Sequence, residues 1–188
     1  MKLENERIRI REYRESDFRS LHLLLTNNKV MTYMPEIRSN SLDDSYKTLY
    51  DAILESKLIH RQKYFFALEE KATNTYIGEI GYTILLEAIE GNVVNLGYFI
   101  LPQYWGMGYV TEAVKMIIDY MFETQNIVKI CAGCVADNRA SIRVMEKAGM
   151  VQESHLVKHM ILEGNLHDRY DYRITKDEWQ VRVSKSKR

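Results

Sequence analysis

The chain has 188 residues, 46% hydrophobic and 28% charged, which suits one globular domain with a sizeable core. Lysine plus arginine and aspartate plus glutamate both number 26, so the formal net charge is zero. No basic stripe stands out, so neither nucleic acid nor a membrane is expected as a partner.

In chain order, RIRIREY (Arg7 to Tyr13) alternates and predicts a strand. Ser16 or Asp17 is expected to cap a helix through Leu25. The stretch from Lys29 to Asn40 is irregular, and Ser41 with Asp44 predicts a helix start that runs to about Leu58. KYFFALEE, NTYIGEIGYTILL and VVNLGYFIL are three successive strands with hairpin composition between them. From Val110 to Phe122 the apolar spacing turns helical. IVKICAGCV returns to strand, and DNRASIRVMEKAGM predicts a helix capped at Asp137 or Asn138 and closed at Gly149. SHLVKHMILEGNLHDRYDYRI reads as two strands around EGN, and the basic tail over 180–188 as a frayed terminus. The order is a meander, a strand–helix–strand crossover, a helix and a hairpin. A single domain over 1–188 is expected, with a core over about 7–175 and a mixed sheet flanked by helices.

No apolar run approaches the roughly 20 residues of a membrane span. The opening MKLENERIRIRE is charged where a signal peptide is apolar, so a cytoplasmic location is expected. Cys131 and Cys134 form CAGC, but redox chemistry wants the first thiol at a helix N-terminus, and these lie in a strand pattern. Residues three apart on a strand face opposite sides, so the pair reads as two small strand residues. His155 and His159 also lie in an extended segment, where they stand roughly 13 Å apart, too far for one ion. No metal is expected.

The stretch LPQYWGMGYVTEAVKMI (Leu101 to Ile117) joins a strand to a helix through two glycines. The first amides of a helix lack partners within it and carry partial positive charge. Glycine removes the Cβ atoms that would keep a guest away, so this is a candidate phosphate cradle. It lacks the third glycine of the dinucleotide fingerprint, having Thr111 there. It also lacks the Lys-Ser/Thr of the triphosphate loop, having Tyr109 and Val110. A plain tight turn stays open on these residues alone.

Gln103-Tyr104-Trp105-Gly106-Met107-Gly108 resembles the Gln/Arg-x-x-Gly-x-Gly/Ala loop of the GNAT superfamily of N-acetyltransferases. With ADNRASIRVMEKAGM downstream and ERIRIREYRESDF at the start, the whole chain is similar to the branch named for ribosomal-protein alanine acetyltransferases. The resemblance implies a mixed, mostly antiparallel sheet of about seven strands, with two splayed parallel strands at its centre. It implies acetyl-coenzyme A as cosubstrate and direct transfer to a primary amine.

By that resemblance the pyrophosphate rests on backbone amides of Gln103, Gly106, Met107, Gly108, Tyr109 and Val110, with Thr111 adding a hydroxyl. The pantetheine arm pairs with Phe99, Ile100 and Leu101, and Asn138 and Ser141 face the coenzyme. Ser141 also stands where many relatives have a tyrosine acid. Glu79 is the best carboxylate for a general base, with Tyr98 able to relay through water; the branch's usual glutamate is Asn95 here. Tyr33 and Met34 are implied in the acceptor pocket, with Pro35, the helix from Ser41 and the turn Glu163–His167. The acceptor is a protein N-terminus or a small amine. A polyamine or aminoglycoside is the alternative, for which Glu36, Asp43 and Asp44 matter. A non-catalytic coenzyme-binding sensor is the rival class. Either a monomer or a homodimer fits.

Overall fold

The computed structural model describes residues 1–186. The chain forms two compact units, Met1–Thr83 with Gly97–Ala113, and Ile84–Leu96 with the chain from Val114 on.

The first unit holds β1 (Lys2–Glu4), β2 (Ile8–Glu12), β3 (Lys63–Glu70), most of β4 (Thr75–Leu86) and the end of β5 (Asn92–Ile100), in the order β1-β2-β3-β4-β5. Register explains the two faces. Ile10 pairs with Leu68 and Phe66 with Ile80, and all four are buried on one side. Arg11, Ala67 and Glu79 line up across three strands on the other. On that second face α1 (Phe18–Leu25) and α2 (Leu42–Glu55) bring Leu21, Leu24, Leu25, Leu49 and Ala52 against Tyr13, Ala67, Tyr76 and Leu101. Single 3-10 turns at Met31–Tyr33 and Pro35–Ile37 fill the irregular stretch.

The two helix starts differ. Ser41 Oγ accepts the Asp44 N–H at 3.0 Å and Asp44 returns a bond to the Asn40 N–H, as predicted. The expected cap at Ser16 or Asp17 does not form. Glu15–Asp17 is a 3-10 turn, and α1 begins at Phe18 without a side-chain cap. The reason is charge: buried Arg11 takes both oxygens of Asp17, at 2.7 and 2.8 Å. Helix α2 also stops at Glu55, short of Leu58, where Lys57 and Leu58 close a tight turn.

The second unit holds the tip of β4, the start of β5, β6 (Ile127–Val135), β7 (Val151–Leu162) and β8 (Asn165–Thr175), in the order β5-β6-β8-β7. The expected parallel pair is present: Asn92 to Asn95 of β5 pair with Ile127 to Cys131 of β6. The β7–β8 hairpin turns at Glu163 and Gly164, which have φ of 50° and 80°. Eight strands exceed the seven expected because charged, three-residue β1 carries no apolar pattern to read.

Helix α3 (Tyr109–Thr124) buries Ala113, Val114, Ile117, Ile118, Met121 and Phe122, the predicted stripe. Helix α4 (Arg139–Lys147) is followed by Gly149 at φ +84°. The tail is not frayed: α5 (Lys176–Ser186) docks through Trp179, whose Nε1 donates to Asp119 at 2.6 Å. Arg182 donates to the Ala148 carbonyl, and its guanidinium fills the space a side chain at Gly149 would need. Lys187 and Arg188 lie outside the described residues. No helix among the described residues is long and apolar enough to cross a membrane.

Candidate active site

After Leu101 the chain makes a 3-10 turn over Pro102–Tyr104 and reaches α3 through Gly106 and Gly108, at φ of 76° and 84°. Those angles favour glycine. Gln103 and Trp105 to Gly108 are exposed, and a Cβ on Gly106 would meet no atom within 4 Å. One side of the loop is therefore open, at the end of a helix where free amides collect. Val110 and Thr111 sit half-buried in the first turn of α3.

The back of the loop is fastened by residues that sequence reasoning passed over. Arg7 donates to the Met107 carbonyl at 2.9 Å, pairs with the Glu112 carboxylate, and lies 4.4 Å over the Tyr109 ring. Asn5 also donates to Glu112, at 3.1 Å. The Tyr109 hydroxyl donates to Glu70 at 2.6 Å, so this side chain turns to the loop's rear and only its backbone remains for a guest. Arg7 reads in sequence only as part of a charged strand; its partners lie a hundred residues away.

Within the segment of β5 expected to pair with the coenzyme arm, some backbone groups already have neighbours in the protein. The Leu101 N–H donates to Ile77 of β4 at 2.9 Å, and the Phe99 carbonyl lies against Gly78. Both contacts fall on residues of that expected segment, Phe99 and Leu101. The Ile100 carbonyl is already engaged, accepting the Trp105 indole N–H at 2.9 Å.

Glu79 lies on β4 and is half-buried. Burial pushes its pKa up to about 7, partly offset by the Tyr13 hydroxyl, which donates to Oε2 at 2.6 Å. Among the described residues, Oε1 has no hydrogen-bond partner from the protein. Tyr98 is half-buried on β5, and Tyr33 and Met34 are half-buried at the end of the first 3-10 turn.

In the second unit Asn138 caps α4, accepting the Ser141 N–H at 3.1 Å. Ser141 lies near enough to the Cys134 thiol to work against the effect of burial on it. Burial pushes both thiols, Cys131 and Cys134, up, opposite to what a redox pair needs. His155 and His167 of the hairpin are bonded to Asp168 and Asp137, at 2.6 and 2.9 Å.

A glycine loop thus leads from strand to helix on a mixed sheet, and comparison with known proteins shows which class of protein carries it here. The model of the acetyltransferase (GNAT) domain matches residues 7–151. An uncharacterised N-acetyltransferase of Bacillus subtilis, YnaD, is 26% identical over 95% of this chain and 99% of its own. Spermidine N(1)-acetyltransferase of Vibrio cholerae is 27% identical over 87% and 90%. The solved ribosomal-protein-S5-alanine acetyltransferase of Vibrio fischeri superposes with a TM-score of 0.82 at 23% identity, over 95% of this chain and 98% of that one. The chain belongs to the GNAT acetyltransferase family. It is an acetyl-coenzyme A–dependent acyltransferase.

Proposed function

We propose that this enzyme moves the acetyl group of acetyl-coenzyme A directly onto a primary amine, with Glu79 taking the amine proton. The observation that carries the reading is the Glu79 carboxylate, held at one oxygen by Tyr13 at 2.6 Å with no protein partner for the other among the described residues, where burial pushes its pKa up to about 7. An amine attacks only after losing a proton, and a base with a pKa near working pH suits that task. The coenzyme supplies an activated acetyl thioester.

The chain's residues fit such a donor. The open face at Gly106 leaves room for a phosphate against the amides from Gln103 to Val110, and Thr111 adds a hydroxyl within reach of that turn. Phe99, Ile100 and Leu101 are carried over by resemblance as the segment that pairs with an amide-bearing arm, in the manner of strand addition. Asn138 and Ser141 are carried over as coenzyme-facing positions by resemblance. Their observed contacts, a helix cap and a position near Cys134, are local, so we assign them a supporting role.

For the acceptor, a protein N-terminus accords with the ribosomal branch, with Tyr33 and Met34 on the pocket wall. A polyamine is the second reading. Exposed Asp43, Asp44 and Asp51 on α2 flank the exposed, stacked Tyr46 and Tyr50, whose ring centroids are 6.2 Å apart. Carboxylates and aromatic faces together suit a flexible cation. The spermidine acetyltransferase relative supports the same reading.

The test is release of coenzyme A thiol from acetyl-coenzyme A with a panel of amines: peptides beginning with Ala, Ser or Met, then spermidine, then an aminoglycoside. Amine-dependent release by one class is expected. Binding of acetyl-coenzyme A with no release by any acceptor would favour the sensor over the enzyme.

A further inference from the structure

Glu79 is backed by two buried phenols. Tyr13, at the exit of β2, and Tyr76, at the start of β4, are each 6% exposed, with ring centroids 6.3 Å apart. The Tyr13 hydroxyl lies 2.6 Å from Glu79 Oε2 and 3.2 Å from the Tyr76 hydroxyl. An ionised carboxylate only accepts hydrogen bonds, so Tyr13 must donate to it. A hydroxyl has one proton, so the Tyr13 oxygen is then left to accept from Tyr76. The chain has one direction, Tyr76 to Tyr13 to Glu79, whenever Glu79 carries its charge.

We propose that Tyr13, backed by Tyr76, is a positioning residue for Glu79: it holds one carboxylate oxygen and leaves the other for the acceptor amine. The proposal rests on Glu79 as the base. Three features support it. The register that lines up Arg11, Ala67 and Glu79 places a small alanine beside the carboxylate, so Glu79 has no cross-strand cation on β3. Tyr13 supplies the polar contact that a partly buried carboxylate requires. Both phenols have pKa values raised well above their ordinary value, first by burial and then by the Glu79 charge, so they remain neutral donors throughout the working range.

The charged groups acting from neighbouring elements are few. Asp17, ahead of α1, and Arg11 of β2 act on Tyr76, and they are bound to each other. On Glu79, burial and Tyr13 are the two influences, and they oppose one another. Removing the Tyr13 hydroxyl leaves burial unopposed. The carboxyl then keeps its proton to higher pH and stops serving as a base near neutrality.

Glutamate carboxyl groups labelled with carbon-13 report this without coenzyme or turnover. In the wild type one carboxyl is expected to titrate near 7, and that signal should vanish in Glu79→Gln. In Tyr13→Phe its midpoint should move up by about one pH unit, the worth of one hydrogen bond to a charged group. In Tyr76→Phe it should move the same way by less. The acid limb of the pH–rate profile should follow, so that Tyr13→Phe loses about fivefold in kcat near pH 7 and recovers it by about pH 9. A limb abolished in Glu79→Gln with an unmoved carboxyl midpoint in Tyr13→Phe would overturn the positioning role alone. A limb that persists in Glu79→Gln would overturn the base itself.

Discussion

Trp105 closes its indole N–H onto the carbonyl of Ile100 at 2.9 Å, across the mouth of the glycine loop. Under the proposed strand addition that carbonyl belongs to the segment an amide-bearing guest would pair with, so the guest would have to displace the indole. Trp105 is 49% exposed and gives up little packing on leaving. Trp105→Phe is expected to tighten coenzyme A binding about fivefold in titration calorimetry, the net worth of one ordinary hydrogen bond. Coenzyme A should also change the tryptophan emission of the wild type. Trp179, buried and bonded to Asp119, gives the constant background. Weaker binding by the variant would mean that the ring holds the guest instead of guarding the strand.

Gly106 offers a cleaner probe of the cradle than a bulky change. An alanine there meets no neighbour within 4 Å, so packing is untouched. The positive φ of 76° costs about 1 kcal/mol of stability. Gly106→Ala should therefore fold, with a slightly lower melting temperature, and lose coenzyme A affinity well beyond that cost. Gly108→Arg should abolish binding in the same titration. Unchanged affinity in both would remove the loop from the coenzyme site.

Glu79 also makes stability depend on pH. Its folded pKa, about 7, stands above its ordinary value of 4.5. The folded state then holds the proton more tightly than the unfolded chain. The resulting stability is full below about pH 4.5 and is lost as pH rises through 7. The difference is on the order of 3 kcal/mol. Glu79→Gln carries no such charge, so urea midpoints at pH 5 and pH 8 should fall less in the variant than in the wild type. At pH 8 the variant should be the more stable of the two, although it is expected to lose turnover. Parallel pH dependences would show that the carboxylate is already well solvated.

Arg11 is the opposite case, a charge retained by its partners. It is buried, bonded to both oxygens of Asp17 and, at 2.7 Å, to Glu69, which Arg9 also holds. Burial works to raise Glu69, but hydrogen bonds from Arg11 and Arg9 hold it below its ordinary value. Arg11→Ala strands the buried Asp17 carboxylate, leaves Glu69 to Arg9 alone, and should cost about 3 kcal/mol by urea denaturation. A loss under about 1 kcal/mol would mean that water reaches the cleft and takes over the arginine's part.

What was legible in the sequence was local. IVKICAGCV gives the bounds of β6, the apolar spacing gives α3, and Ser41 with Asp44 gives the start of α2, because each signal lies within a few residues. The glycine loop was legible for the same reason. What stayed hidden depends on residues far apart in the chain. Tyr13 meets Glu79 across 66 positions, and Arg7 meets Glu112 across 105. Asp17 looked like a cap because nothing nearby shows that Arg11 will claim it. The direction of each backbone group on β5 follows from its register with β4, which no single strand contains.

The seat of Arg182 over Gly149 has a consequence for descent. Any side chain at position 149 would have to expel the guanidinium, and the Ala148 carbonyl would lose its donor. The two positions are therefore not free to drift separately. Lineages that lose the arginine gain room at position 149, subject to its left-handed backbone, while those that fill it must swing the guanidinium away from the Ala148 carbonyl. Paired substitution at 149 and 182 should mark where the closing helix has been re-docked among descendants of a common ancestor.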